Sequence, residues 1–330
     1  MNIVVGIILS VLFGVVPMAL LAVILTLFDR YEKEPPWLLV GVFLWGAIVA
    51  AGAAFILNTI FGVSVFLVSG SEGLADVGAA VLSAPFVEET VKGLAVLAVF
   101  LYFRNEFDSV LDGVIYGGLV GYGFAAAENI NYIFSGFLQS GTEGLFTLVF
   151  VRVMLIPFLH ATLTGFTGIG LAVGRLNRGW LRYAAPVAGY VTAIGLHTFH
   201  NLLASVPDPL VCLLGKLIDW TGFVGLFIFV LYLVWREGQV MREQLQEEVA
   251  LGNLTGTQYQ IATSIGGQLM ARWGALTAGH WREAAGFYDL LGQLAFKKYQ
   301  LARLGPEIEP ETQAVIDRLR GQIANASRTV

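Results

Sequence analysis

Ten polar or ionisable side chains stand inside stretches that are otherwise apolar. Glu88, Glu89 and Lys92 lie in PFVEETVKG, and Glu128 and Asn129 in GFAAAENIN. Arg152 and His160 follow in a later run, then His197, His200 and Asn201 in GLHTFHNLL. A carboxylate can act as general base on a water, while His and Asn can polarise a carbonyl or hold an oxyanion. Paired glutamates beside a lysine can divide their roles, one staying ionised and one holding a proton. That set suffices to hydrolyse a peptide bond without a Ser or Cys nucleophile. Cys212 stands alone and reads as a packing residue. Neutral His and carboxylate are also zinc ligands, and a catalytic zinc keeps one position open for water. No HExxH helix is present, so a metal-free and a metal-assisted site both stay open. Glu89, Glu128, His160 and His197 are the candidate ligands.

Spacing adds local detail. On a helix, residues three and four apart are neighbours. Lys92 can therefore pair with Glu88 or Glu89, His197 shares a face with Asn201, and Phe124 shares one with Glu128. Each residue alone has a plainer reading. A Glu–Lys pair can be structural, a lone intramembrane His can bridge helices, and Arg152 can neutralise the surrounding acid. His200 lies near the face of His197 and reads as a spare. The functional reading rests on the set.

The elements that would carry this set are membrane spans. The chain has 330 residues, 56% hydrophobic and only 13% charged. Its mean hydropathy is +0.73. Soluble domains average about 25% charged residues. The net charge of -5 and the lack of a basic stripe exclude nucleic acid as a partner. One cysteine excludes an intrachain disulfide. Crossing the hydrocarbon core takes about 20 apolar residues. Seven runs qualify, at 3–28, 37–61, 79–103, 110–138, 145–174, 183–205 and 210–235. The expected fold is an all-α polytopic transmembrane bundle at 1–235, with a cytoplasmic helical tail at 236–330. The first run is too long for a signal peptide and lacks a basic start, so it reads as a true span. A missed or broken span at 63–78 is the alternative to a simple loop there.

Loop charge orients these spans. Arg30 and Lys33 follow the first, Arg104 the third, Arg175, Arg178 and Arg182 the fifth, and Arg236 and Arg242 the seventh. The intervening connections carry no Lys or Arg. The positive-inside rule then places the N-terminus outside and the tail in the cytoplasm. With 1.5 Å of rise per residue, Glu88, Glu128, His160 and His197 fall at similar depth, between the midplane and the outer third. Ionisable groups at that depth face the bundle interior and are functional by default. Gly113, Gly117 and Gly121 repeat every four residues, the spacing for close helix approach in lipid, and place the fourth span inside the bundle. The tail reads as three or four amphipathic helices with no chemical motif, and His280 as a surface residue.

At these residues the chain resembles the PrsW family of intramembrane proteases, within the CAAX-prenyl-protease-like membrane enzymes. DRYEKEP at 29–35 resembles the family's acidic segment, and APFVEETVKG at 84–93 its Glu-Glu-x-x-Lys motif. DGVIYGGLVGYGFAAAENINY at 112–132 resembles its Gly-rich helix, HATLTGFTGIGLAVG at 160–174 its third motif, and HTFHN at 197–201 its His-x-x-x-Asn motif. His200 is a departure, since similar sequences often carry an aromatic residue there. The resemblance implies an enzyme of the bacterial cell membrane with Glu88, Glu89, Glu128, His160, His197 and Asn201 as catalytic set. Glu88 or Glu89 would activate water, Glu128 and His160 would position it, and His197 with Asn201 would stabilise the oxyanion. The implied substrate is a single-span membrane protein, such as an anti-sigma factor, cut near the extracytoplasmic side within the lipid bilayer. The rival readings are a proton-coupled transporter, a non-catalytic signalling scaffold, and a prenyl-protein processor opening to the cytosol.

Overall fold

A computed structural model describes residues 2–308 and 310–327, and no strand occurs among them. Helix α1 (Ile3–Thr26) starts where the Asn2 side chain accepts the Val4 N–H at 2.8 Å. Pro35 and Pro36 open α2 (Pro36–Leu44), a favoured place because the first helical N–H groups have no partner in any case. A π-helical turn at Trp45–Ala50 leads into α3 (Ala51–Ser69). Gly70, at φ 68°, ends α3 in the left-handed conformation that glycine adopts without strain. Ser71 then caps α4 (Glu72–Gly78), a π-helical turn at Ala79–Ser83 follows, and α5 (Ala84–Tyr102) continues. Residues 36–102 thus form a helical hairpin with a turn at 70–71. The segment at 63–78 is helix on both sides of that turn.

Ser109 and Asp112 form a reciprocal capping box at the start of α6 (Val110–Val149). Ser140 and Gly141 leave helical geometry, Gly141 at φ 62°, so α6 folds back on itself. A π-helical segment at Phe150–Leu155 precedes α7 (Leu159–Arg175). Then come α8 (Leu181–Ala204) and α9 (Pro209–Ala250). The tail holds α10 (Gly256–Ala262), α11 (Ile265–Ala278), α12 (Trp281–Leu304) and α13 (Thr312–Ala326).

Four stretches are long and apolar enough to cross a membrane: Ile3–Thr26, Pro36–Ser69, Val110–Arg175 and Pro209–Ala250. At 1.5 Å per residue the third would reach about 100 Å if straight, over three times the hydrocarbon thickness, but it is bent into two arms at Gly141. Those arms are the runs read at 110–138 and 145–174. The runs at 79–103 and 183–205 form α5, with the π turn before it, and α8; both carry the polar residues in question. Large apolar side chains such as Phe55, Leu67, Leu217 and Ile228 face outward, as a lipid-facing surface requires.

Every residue of α6 from Leu111 to Ala126 is buried, so this arm is the axis of the bundle. The glycine stripe explains how. A methyl at Gly113, Gly117 or Gly121 would overlap the backbone of Gly168, Thr164 or His160, all on α7. Cys212 departs from the packing role expected of it: it is exposed on α9. His280 is exposed, as read.

α9 runs unbroken across position 236 and ends within a second apolar core. That core gathers Met241 and Leu245 of α9, Phe287 and Leu291 of α12, Ile316 and Ile323 of α13, and Tyr31 from the connection after α1. Gly292 lets α12 lie against the Tyr31 backbone. Lys297 reaches Asp108 at 2.8 Å and the Asn105 carbonyl at 3.0 Å. Arg303 donates to Asn177 at 3.0 Å. The connections after α1, α5 and α7 therefore meet the tail at one end of the bundle.

Candidate active site

Two prolines set the local geometry. Pro85 lacks an N–H, and the turn before it widens to π-helix at Ala79–Ser83, immediately ahead of Glu88 and Glu89. Pro157 ends the π-helical segment that carries Arg152, with Ile156 already out of helical conformation at φ -131°. The break at 156–158 places His160 in the first turn of α7, beside the Gly121 face of α6.

Five side chains expected to converge do so, from four helices. Glu89 is fully buried and takes a 2.5 Å ion pair from Lys92, a 2.9 Å bond from Nδ1 of His197 and a 3.3 Å bond from Thr164. Lys92 also lies 3.2 Å from Nδ1 of His160 and 4.5 Å above the Phe124 ring. A lysine only donates, so Nδ1 of His160 accepts and its Nε2–H donates to Glu128 at 2.7 Å. Arg152 donates to Glu128 and, at 2.9 Å, to Asn129. The two imidazole rings stand 5.4 Å apart.

Glu88 differs from its neighbour. Its Oε1 accepts from Asn58 at 3.4 Å, while Oε2 is buried with no hydrogen-bond partner among the described residues. Facing it at 3.8 Å is Nε2 of His197. The bond from Nδ1 to Glu89 leaves a lone pair on that Nε2 in the neutral ring. Two acceptors then confront one another, an arrangement that calls for a proton or a cation between them. Glu88, His160 and His197 each offer a ligand atom, and the three atoms lie within 4.8 Å of one another. Among the metal ligands anticipated, Glu89 and Glu128 are instead held by Lys92 and Arg152. Glu88 is the carboxylate that lies with the two histidines.

The remaining residues sort clearly. Asn201 donates to the Ala80 carbonyl at 2.7 Å, so its amide braces α8 against the π turn. His200 bonds Asp219 of α9 at 2.8 Å, while His197 is the ring of that pair that meets Glu88 and Glu89. Glu88, Glu128, Arg152, His160 and His197 line one cavity of about 250 Å³, and His200 and Asn201 line it too. Glu88 and Glu128 also floor a larger cleft of about 880 Å³ between α3, α4 and α6. Sequence reading missed Asn58, which supports Glu88 and accepts from Ser83 at 2.8 Å. An amide within an apolar run was its only signal.

A bundle of membrane-spanning helices, closed around buried carboxylates and imidazoles that a cleft reaches, defines an intramembrane hydrolytic enzyme. Residues 34–235 match the PrsW family of intramembrane metalloproteases, and the chain belongs to that family. It is a membrane protease. It is 29% identical over 219 residues to Protease PrsW of Geobacillus kaustophilus, covering 66% of this chain and 85% of the relative. It is 26% identical over 222 residues to Protease PrsW of Bacillus subtilis, covering 67% and 89%. Protease PrsW of Clostridioides difficile matches at 36% over 108 residues, 32% of this chain and 43% of that one. No solved structure matches the chain.

Proposed function

We propose that the protein cuts a single-span membrane protein, such as an anti-sigma factor, near the extracytoplasmic face of a bacterial cell membrane, with Glu88 as general base. The observation that carries this reading is the unpartnered Oε2 of Glu88, at the junction of cavity and cleft. Glu88 takes a proton from the attacking water and passes it to the leaving amide nitrogen. Glu89 is an orienting group: paired with Lys92, it fixes the His197 ring so that Nε2 faces Glu88. Glu128 and His160 hold the opposite wall. Asn201 braces α8 through the Ala80 carbonyl and also lines the cavity, and the guanidinium of Arg152 is a cation lining the cavity where an oxyanion would form.

The donor set fits a divalent ion such as zinc. Glu88, His160 and His197 would hold it, with the Nδ1–Glu89 bond of His197 as outer support, and Glu88 would then serve as a ligand in place of its role as free general base. His160 would exchange one of its present partners, Lys92 or Glu128, to ligate. Such an ion supplies Lewis-acid polarisation of the scissile carbonyl and a more acidic water.

The topology proposed is N-terminus outside and tail cytoplasmic, with a bundle at 1–235 and a tail at 236–330. What supports it is that the Lys- and Arg-bearing connections gather at the tail's end of the molecule. The test is cleavage of a single-span reporter in membranes by wild type, Glu88→Ala, Glu89→Ala and His160→Ala. Normally folded variants that all cut at the wild-type rate would sink the reading. Loss of cleavage with a chelator, restored by zinc, would establish the metal.

A further inference from the structure

The 880 Å³ cleft continues from Glu88 and Glu128 along the 36–102 hairpin toward its turn. Its walls are small where the hairpin arms face each other, at Ala54, Gly62, Ala79, Ala80 and Ala84. Bulky side chains, Phe55, Phe66, Phe124 and Tyr132, line it elsewhere. A peptide must be unwound to be cut, and unwound backbone in hydrocarbon leaves polar groups without the partners they need. The cleft offers partners for those groups. Asn131 lines it with an exposed amide that bonds to nothing among the described residues, and Asn58 lies opposite.

At the far end stand Glu72 and Asp76, four apart on α4 and both exposed into the cleft. No Lys, Arg or His among the described residues pairs with either. Residues 63–78 contain no Lys or Arg, so this rim is uniformly acidic. The inner end carries the independent mark of a ligand: Glu88, 6% exposed, with its buried and unpartnered Oε2. Glu72 and Asp76 lie sixteen and twelve residues before Glu88. That is about 24 and 18 Å of helix, the length of about five to seven residues of extended chain.

We infer that an extended segment of the substrate lies in this cleft, and that Glu72 and Asp76 select substrates with a Lys or Arg about five to seven residues from the scissile bond. The inference rests on the proteolytic reading of Glu88 and adds a specificity determinant to it. The direction is fixed by the cleft: the basic residue lies on the side of the bond toward the hairpin turn, the extracytoplasmic side in the proposed topology. Exposed pairs of this kind are individually weak, so two carboxylates against one cation give a rate preference of about fivefold to tenfold for Lys over Glu. Salt should erode it, because the Debye length shrinks from about 10 Å at 0.1 M to about 3 Å at 1 M.

The test uses the full-length protein in proteoliposomes and a panel of single-span reporters. Each reporter carries one Lys, Ala or Glu at a position three to nine residues outward of the cut, which mass spectrometry maps. Wild type should cut best with Lys at five to seven, and the preference should shrink in high salt. The variant Glu72→Lys/Asp76→Lys should prefer Glu at those positions. The milder Glu72→Gln/Asp76→Asn should cut the Lys, Ala and Glu reporters with no preference for the sign of the charge. Cleavage by wild type that ignores the sign of the charge, or a charge reversal that leaves the preference in place, overturns the inference and leaves the protease reading intact. A panel that wild type leaves uncut, with protein and reporters correctly inserted, overturns the protease reading itself.

Discussion

Two adjacent glutamates on one helix turn have opposite surroundings, and their variants should separate accordingly. Glu89 is fully buried and bonded to Lys92, His197 and Thr164. Breaking a buried pair leaves an uncompensated charge and costs about 3–5 kcal/mol. Lys92→Met should therefore lower thermal stability in detergent and abolish cleavage together, because the bond to His160 goes as well. Glu88 has one long bond and a bare oxygen. Glu88→Gln keeps the shape and the Asn58 contact but removes the base, so cleavage should fall at least about a hundredfold with the melting temperature nearly unchanged. An equal loss of stability in both variants would contradict the division of roles. His200→Phe should keep cleavage within a fewfold of wild type, since that ring bonds Asp219 and neither Glu88 nor Glu89.

Among the elements, α6 and α7 have the closest approach, and it lies directly beneath the site. A side chain at Gly121 would meet the His160 backbone. Gly121→Val should cost about 1–3 kcal/mol by overpacking and displace His160 from Glu128, and small displacements of catalytic groups can cost about a hundredfold in rate. Gly52 on α3 has open space around its Cβ position, so Gly52→Ala should leave both stability and cleavage alone. Comparing the two by thermal unfolding and reporter cleavage distinguishes close packing from a general need for glycine. This stripe was legible in the sequence, because a four-residue glycine period has one structural meaning in lipid. Glu88, Glu128, His160 and His197 were legible for a related reason: an ionisable group in an apolar run has to face inward. The different surroundings of Glu88 and Glu89 were not. They depend on where Lys92 points, and both spacings allowed a pair. The bond from the Asn201 amide to the Ala80 carbonyl was not legible either, because it depends on the π turn at 79–83.

At the scale of the whole molecule, the tail and the connection after α1 are one structure. The sequence presented DRYEKEP as an acidic connection and the tail as a motif-free appendage. Tyr31, however, is 1% exposed inside the tail's core, and Lys297 bridges to Asp108. Such contacts join segments nearly 200 residues apart, and no local pattern encodes them. Lys297→Ala leaves Asp108 buried without its cation, so the docked tail should loosen and α12 amides should lose hydrogen-exchange protection. Asp29 makes the same docking pH-sensitive. Burial pushes its carboxyl up to about 6, against the opposing pull of Lys33, with Asp289 of α12 raising it further and Arg272 of α11 lowering it. The folded value exceeds the unfolded one, so the protonated form stabilises the docked state. That contribution is full below about pH 4 and is lost as pH rises through about 6, amounting to at most about 3 kcal/mol. Protection of α12 amides, corrected for intrinsic exchange, should therefore fall between pH 4 and 7 in wild type and change less in Asp29→Asn. Identical pH profiles for the two proteins would show that ionisation of Asp29 is not what loosens the tail.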